Sequence, residues 1–430
     1  MGNREARRWL LGCVADDVTG ATDLASVLAL AGLDVVQVQG LPKPEDAAID
    51  TDALVVALKT RTVPADEAIS QSVAAARFLL SRQVRHLYFK YCSTFDSTDE
   101  GNIGPVAEAL LDLVGGGLTV ICPAYPQNRR TVYQGHLFVG DRLLSDSGMR
   151  HHPLTPMTDA DLVRVLARQC RDASAVGLVP LDVVEAGVEA VRSRLAELRS
   201  RGVRAAVTDA TAARHLGTIA DAARTLRLWT GGAALAGELP RLYRQDGVLA
   251  ERRGIEPLPA TTGPTVVLAG SCSEATRAQI ARMAARHPVL VLDPVAVAEG
   301  RQQPEALAAA ALQAAGDGAV LVHSSLPPEQ VAEVQRRLGR EGAGALVEDA
   351  FARIARAVVE AGVRRLIVAG GETAGSVVGA LGVRRLRIGP PIAPGVPWTW
   401  SLDPPHLALA LKSGNFGGDD FFLRALEVGR

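Results

Sequence analysis

Short runs of Val, Ile and Leu recur along the chain and alternate with Ala-rich stretches of helical length. In the first half these runs predict strands near Leu10–Ala15, Val35–Gln39, Leu54–Leu58, His86–Lys90, Leu118–Cys122, Val176–Pro180 and Val203–Val207. In the second half they fall near Thr265–Ala269, Val289–Leu292, Val320–His323, Arg364–Ala369 and Leu386–Ile388. Such alternation predicts an α/β fold of mostly parallel sheets covered by helices on both faces. Ligands in these folds sit beyond the carboxyl ends of the strands, so the residue after each strand is the place to look.

The stretch Gly237–Pro264 shows no steady period and ends in a Pro/Thr/Gly cluster, which marks a linker. The expected organisation is a domain over 1–243, a linker over 244–264 and a second domain over 265–430. A chain of 430 residues exceeds one ordinary domain, and its 48% apolar content suffices for two cores. Aromatic residues make up only 4%, so Ala, Val and Leu must build those cores. A formal net charge of −1 argues against nucleic-acid binding, which usually needs a basic excess. The short apolar run after the basic start meets Asp16 and Asp17 too soon for a secretory signal. Ala6 stands where a myristoylation motif requires Ser or Thr. No apolar stretch approaches the ~20 residues of a membrane span. Five scattered cysteines without a CxxC pair suit reduced thiols in a cytoplasm and carry no zinc signature.

Three strand ends in the second half carry candidate chemistry. The run Arg364–Ala369 leads into Gly370-Gly371-Glu372-Thr373-Ala374-Gly375 and then a helical stretch. A strand, a Gly-rich turn and a helix start can offer free N–H groups to an anion, although a plain tight turn would look the same. After Val267–Ala269 come Gly270-Ser271-Cys272-Ser273. Hydroxyls there could bond a nucleotide, but Ser271 and Glu274 also have the spacing of a capping box. The third junction, Lys412-Ser413-Gly414, offers either a cation for phosphate or an exposed strand-end lysine.

In the first half the strand ends are acidic and hydroxyl-rich. Asp16 and Asp17 follow the first strand; they could bind sugar hydroxyls, hold Mg²⁺ or accept a proton, and one of them could simply cap the next helix. Arg61, in Lys59-Thr60-Arg61-Thr62, suits a carboxylate, and the Ser/Thr cluster of Lys90-Tyr91-Cys92-Ser93-Thr94-Phe95-Asp96-Ser97-Thr98 suits a polyol, although surface turns also collect Ser and Thr. Asn128-Arg129-Arg130, after Pro123-Ala124-Tyr125-Pro126, could touch an anion or be a solvated loop. Adjacent His151 and His152 point different ways without a third ligand, so no metal site is assigned.

The segments ADDVTGATDLASVLALAG, YFKYCSTFDSTDEGNIGPVAEAL, CPAYPQNRRTVYQGHLFVGD, HHPLTPM, VAGGETAGSVVGALGV, PGVPWTW and ALKSGNFGGDDFF together resemble the four-carbon acid sugar kinases. The resemblance runs from Val14 to Leu426. It implies an N-terminal sugar-acid-binding domain, a C-terminal ATP-binding domain and an active site in the cleft between them. The implied reaction moves the γ-phosphoryl group of ATP, with Mg²⁺, to the C4 hydroxyl of 3-oxo-tetronate. Carried over residue by residue, substrate contacts fall on Asp16, Arg61, Lys90, Tyr91, Cys92 and Ser93, with Asp16 or Asp17 as the base. Nucleotide contacts fall on Ser271, Gly370, Gly371, Glu372, Thr373 and Gly414. Relatives acting on threonate or erythronate typically carry KIDSTLRG where this chain has KYCSTFDST, a departure that favours the 3-oxo acid. Ala374 replaces a Ser common in the GGETSG pattern, with little consequence if backbone amides do the cradling. The remaining readings are a kinase for D-threonate, L-threonate or D-erythronate, and a non-catalytic nucleotide-dependent sugar-acid sensor. The expected partners are small molecules, neither nucleic acid nor membrane, with homodimerisation left open.

Overall fold

The computed structural model of the chain describes residues 9–152, 154–250 and 254–428. The amino-terminal residues weighed above as a leader, Pro153 of the HHPLTPM segment and linker residues 251–253 lie outside them. The chain divides into two compact units, Met1–Gly254 and Ile255–Arg430. No helix of the described residues is long and apolar enough to cross a membrane.

The first unit contains β1 (Leu11–Ala15), β2 (Val35–Gln39), β3 (Ala53–Ala57), β4 (His86–Lys90), β5 (Thr119–Cys122), β6 (Arg130–Tyr133), β7 (His136–Val139), β8 (Arg142–Leu143), β9 (Val176–Val179), β10 (Ala205–Thr208) and β11 (Leu228–Gly231). Eight of these form a parallel sheet in the order β2-β3-β1-β4-β11-β5-β10-β9. The other three make a small antiparallel sheet, β6-β7-β8. Every residue of β1, β3 and β4 is buried, as expected of strands covered on both faces.

The second unit contains β12 (Thr265–Ala269), β13 (Val289–Val291), β14 (Ala319–His323), β15 (Arg365–Ala369), β16 (Arg385–Ala393), β17 (Val396–Ser401) and β18 (Ala408–Lys412). They are ordered β13-β14-β12-β15-β18-β17-β16, the first five parallel and the last two antiparallel. Its core gathers Val267, Leu321, Ile367, Trp398, Phe421 and Phe422.

Both sheets change winding direction at the same relative place. In the first unit the chain leaves β1 for β2 and β3 on one side and then crosses to β4 on the other. In the second it leaves β12 for β13 and β14, then crosses to β15. Connections that part in opposite directions open a crevice at the carboxyl ends of the two central strands. Those crevices lie at Asp16 with Lys90, and at Gly270 with Gly370.

Several expectations change. The helix Leu239–Gln245 lies within the stretch read as aperiodic, started by Pro240 and anchored by buried Leu239, Leu242 and Tyr243. The strands β11 and β17 and the β6-β7-β8 hairpins are not among the expected strands; β11 and the hairpin strands are short apolar runs broken by Thr, Gly, His or Arg. The edge run near Leu386–Ile388 extends to Ala393, where Pro390 and Pro391 coincide with a shift of register against β17.

Candidate active site

In the first unit the strand ends are level. Ala15 pairs with Ala57 on one side and Lys90 on the other, and Lys90 pairs with Gly231. With neighbouring strands ~4.8 Å apart, the residues that follow project into one small region. Arg61 reaches across it. Its Nε and Nη2 donate to the two oxygens of Asp16, both at 2.8 Å, and Nη2 also donates to Asp17 at 2.6 Å. Nη1 has a longer contact, 3.7 Å, with Asp96. The Arg61 loop is itself tied down by Asn102, whose Nδ2 donates to the carbonyls of Thr60 (2.7 Å), Arg61 (3.3 Å) and Val63 (2.8 Å).

The adjacent aspartates have different roles. Asp17 is the N-cap of the helix Val18–Leu30: it accepts from the Gly20 amide at 3.1 Å and from the Thr19 hydroxyl at 2.8 Å. Burial pushes its carboxyl up, but Arg61, Lys90 and these local donors outweigh burial and hold it below the usual range. Asp16 makes no cap. Burial raises its pKa above the usual value despite the opposing Arg61, and the neighbouring Asp17 adds to the rise. Asp16 is therefore the more basic of the two.

Lys90 is buried and donates to the Tyr91 carbonyl at 2.8 Å. A Cβ on Gly20 would stand 3.2 Å from its Nζ, so the small residue leaves the ammonium room beside Asp17. Tyr91 is turned inward, its hydroxyl on Thr230 at 3.0 Å, which leaves only its backbone for a ligand. Burial pushes the Cys92 thiol up to about 12, so it is a neutral group paired with Thr94. Ser93 packs toward Gly232, at the end of β11.

The second unit repeats the arrangement with glycine and hydroxyl in place of charge. Ala269 pairs with His323 and Ala369, and Ala369 with Lys412, so four junctions are level. Gly370, at φ 129°, is the N-cap of the helix Gly371–Ala380 and supplies no side-chain cap. The first intrahelical bond there runs from the Ala374 amide to the Gly370 carbonyl, 2.8 Å. The amides of Gly371, Glu372 and Thr373 precede it and point out of the helix start, where the positive end of the helix dipole favours an anion. Backbones are close: a Cβ on Gly370 would stand 3.2 Å from the Ser271 nitrogen, and one on Gly414 only 2.3 Å from Ser271 Oγ. Thus Ser271, Gly370 and Gly414 adjoin, with Thr373 buried beneath and Glu372 exposed.

Two expectations at this site are corrected. The cap of the helix Glu274–Ala284 is Ser273, which accepts from the Thr276 amide at 3.2 Å, and not Ser271. The capping box therefore does not account for Ser271, whose Oγ accepts only a 3.2 Å bond from Ser273 N among the described residues. Lys412 is not exposed but fully buried, donating to Thr276 Oγ1 (3.1 Å) and the carbonyls of Ser413 (3.0 Å) and Gly414 (2.7 Å). Burial pushes it down to about 7. Ser325 donates to the Ser271 carbonyl.

Among the described residues no group of three or more His, Cys, Asp or Glu could hold a metal ion. His152 accepts from the Thr155 amide at 3.1 Å, a turn-forming role. Sequence reasoning gave Asn102 no role because its partners, the carbonyls of Thr60, Arg61 and Val63, lie far earlier in the chain.

The family described as Sugar-binding N-terminal domain matches residues 11–239, and the one described as Nucleotide-binding C-terminal domain matches 266–422. A 3-oxo-tetronate kinase of Cupriavidus necator is 54% identical over 98% of this chain and 98% of its own length. One from Salmonella typhimurium is 44% identical over 96% of this chain and 98% of its own. Among solved structures, a Salmonella typhimurium LT2 protein has a TM-score of 0.86 at 42% identity, covering 98% of this chain and 99% of that one. A Haemophilus influenzae protein has a TM-score of 0.78 at 41% identity, over 97% of this chain and 100% of that one.

Proposed function

We propose, because this chain belongs to the four-carbon acid sugar kinase family, that it transfers the γ-phosphoryl group of ATP to the C4 hydroxyl of 3-oxo-tetronate. The observation that carries the reading is the 54% identity to a 3-oxo-tetronate kinase over 98% of both chains. In this reading residues 1–243 bind the sugar acid, 265–430 bind the nucleotide, and 244–264 join them.

The reaction converts 3-oxo-tetronate and ATP into 3-oxo-tetronate 4-phosphate and ADP. The C4 oxygen loses its proton, bonds to the γ-phosphorus, and the bond from that phosphorus to the bridging β,γ-oxygen breaks. Asp16 is the proposed proton acceptor, supported by its raised pKa and by its freedom from the capping that occupies Asp17. Arg61 orients Asp16 through the two-point contact, and its Nη1, in only a 3.7 Å contact with Asp96, is available to a substrate oxygen. Lys90 and the backbone from Tyr91 to Ser93 line the rest of the polyol site.

The polyphosphate fits the amides of Gly371, Glu372 and Thr373, with Ser271 and Gly414 beside them. The close backbone approaches at Gly370 and Gly414 support this fit, since any side chain there would fill the space. Transfer by such a site is mainly positioning and charge stabilisation. With no protein cage for a metal among the described residues, Mg²⁺ is assigned to the phosphate oxygens of the nucleotide, which it would help neutralise. Closure around both substrates would limit hydrolysis.

The test is incubation of the purified chain with Mg-ATP and a panel of 3-oxo-tetronates, threonates and erythronates, with each phosphate ester identified by mass. The expected product is the 4-phosphate of a 3-oxo-tetronate. Preference for a plain hydroxy acid reassigns the substrate, and tight binding without any ester removes the kinase reading.

A further inference from the structure

Two of the buried polar atoms without a partner belong to Asp23 and Arg130, which the roles assigned so far leave unused. Asp23, on the helix Val18–Leu30, is 4% exposed, and its Oδ1 has no hydrogen-bond partner among the described residues. It lies one helical turn beyond Gly20, on the side of the helix that faces Lys90 Nζ. Arg130 opens β6, where its backbone pairs with Tyr125 at 2.8 and 3.1 Å. Its Nη1 donates to the Asn128 carbonyl at 2.5 Å, yet its buried Nε has no partner. Asp23 lies within electrostatic reach of Lys90, Asp17 and Arg130, and the Tyr125 hydroxyl feels Asp23 in turn.

An unpartnered carboxylate oxygen and an unpartnered guanidinium nitrogen are each costly to bury. Arg130 pairs with Tyr125 just after β5, and Pro123 in that turn lies against Gly232 beside Ser93, so both groups stand at the carboxyl end of the first sheet as an acceptor and a donor without partners. A 2-hydroxy acid is the complement of that pair: its carboxylate accepts and the hydroxyl on the next carbon donates. The proposed substrate has this group at C1 and C2, at the far end from the C4 hydroxyl. Arg61 has most of its fork on Asp16 and Asp17, so the carboxylate needs another cation.

We infer that Arg130 and Asp23 form the subsite for the 2-hydroxy-acid end of the substrate, Arg130 taking the carboxylate and Asp23 the C2 hydroxyl. This assignment rests on the sugar-acid kinase reading and adds to it the end of the molecule that sets the binding direction. The C4 hydroxyl then extends toward Asp16. It also accounts for a buried carboxylate oxygen left without a donor, a condition that calls for an explanation in a native fold.

The test uses the full chain with Arg130→Met and Asp23→Asn. Steady-state constants are measured for ATP, for 3-oxo-tetronate, and for the neutral four-carbon ketose carrying a hydroxymethyl group in place of the carboxylate, as substrate or inhibitor. Arg130→Met is expected to raise KM for the acid about 10- to 100-fold and leave the constants for ketose and ATP within about twofold, removing the preference for acid over ketose. Asp23→Asn is expected to weaken acid and ketose alike by about tenfold, because both carry the neighbouring hydroxyl. Its Tm should be unchanged or higher, since a buried unpartnered charge is removed. An unaltered KM for the acid in Arg130→Met overturns the assignment, as does equal weakening of acid, ketose and ATP. A lowered Tm with unaltered KM in Asp23→Asn makes that residue structural and overturns its part. A wild-type chain that phosphorylates no tetronate defeats the kinase reading itself, an outcome visible before any variant is made.

Discussion

Replacing Gly370 by alanine isolates the contribution of the phosphate cradle, because a second glycine nearby in sequence serves as a control. Gly370 has φ 129°, and a Cβ there would stand 2.9 Å from Thr373 Oγ1 and 3.2 Å from the Ser271 nitrogen. Gly362 has φ 105° and precedes the other end of β15, with nothing within 4 Å of its Cβ position. Alanine at either site enters a backbone region reserved for glycine, at about 1–3 kcal/mol of strain. Both variants should therefore lose comparable thermal stability. Only Gly370→Ala also presses on the Ser271 backbone and the first turn of the helix Gly371–Ala380. Losing one charge-assisted hydrogen bond to phosphate, at about 1.5–3 kcal/mol, corresponds to a nucleotide affinity lower by about 10- to 100-fold. Calorimetric titration with a non-hydrolysable ATP analogue, beside thermal unfolding of each variant, separates the two effects. Wild-type affinity in Gly370→Ala, or an equal loss in Gly362→Ala, would refute the cradle.

Asp16→Asn should lower kcat by about 100- to 10,000-fold while nucleotide affinity is retained; near wild-type turnover would eliminate Asp16 as the base. Because burial raises Asp16 and its ionised form is the reactive one, the wild-type rate should rise with pH across a limb above the ordinary carboxylate range, as a kcat–pH profile will reveal. Asn102→Ala leaves the carbonyls of Thr60, Arg61 and Val63 without their shared donor; a stability loss of about 1–3 kcal/mol and a raised KM for the sugar acid, but not for ATP, are expected from denaturant titration and kinetics. Lys412 is pushed down to about 7 by burial, so raising the pH through that value removes one of its three donors and its charge. Nucleotide affinity should fall over that interval and become pH-independent in Lys412→Met; an equally steep profile in the variant would clear Lys412 of any part.

The sequence by itself determined the class of fold and the position of most junctions. Buried parallel strands need near-continuous Val, Ile and Leu, a signal that survives without knowledge of neighbours, and β2, β4 and β12 match their apolar runs residue for residue. It also located Asp16, Arg61, Ser271, Gly370 and Gly414, because each directly follows a strand or opens the loop behind one. Tertiary structure alone decided how those residues divide the work. Whether Asp16 or Asp17 caps the helix depends on side-chain direction, and adjacent aspartates look alike in a string of letters. Lys412 was legible as a cation but not as a buried one, since one of its partners, Thr276, lies on a helix far away in the chain. Asp23 and Arg130 are 107 positions apart and share the carboxyl end of one sheet only because its order brings β5 within two strands of β4. Local pattern reports what a segment prefers; pairing between distant segments sets which polar groups share one low-dielectric space, and that sharing sets their chemistry.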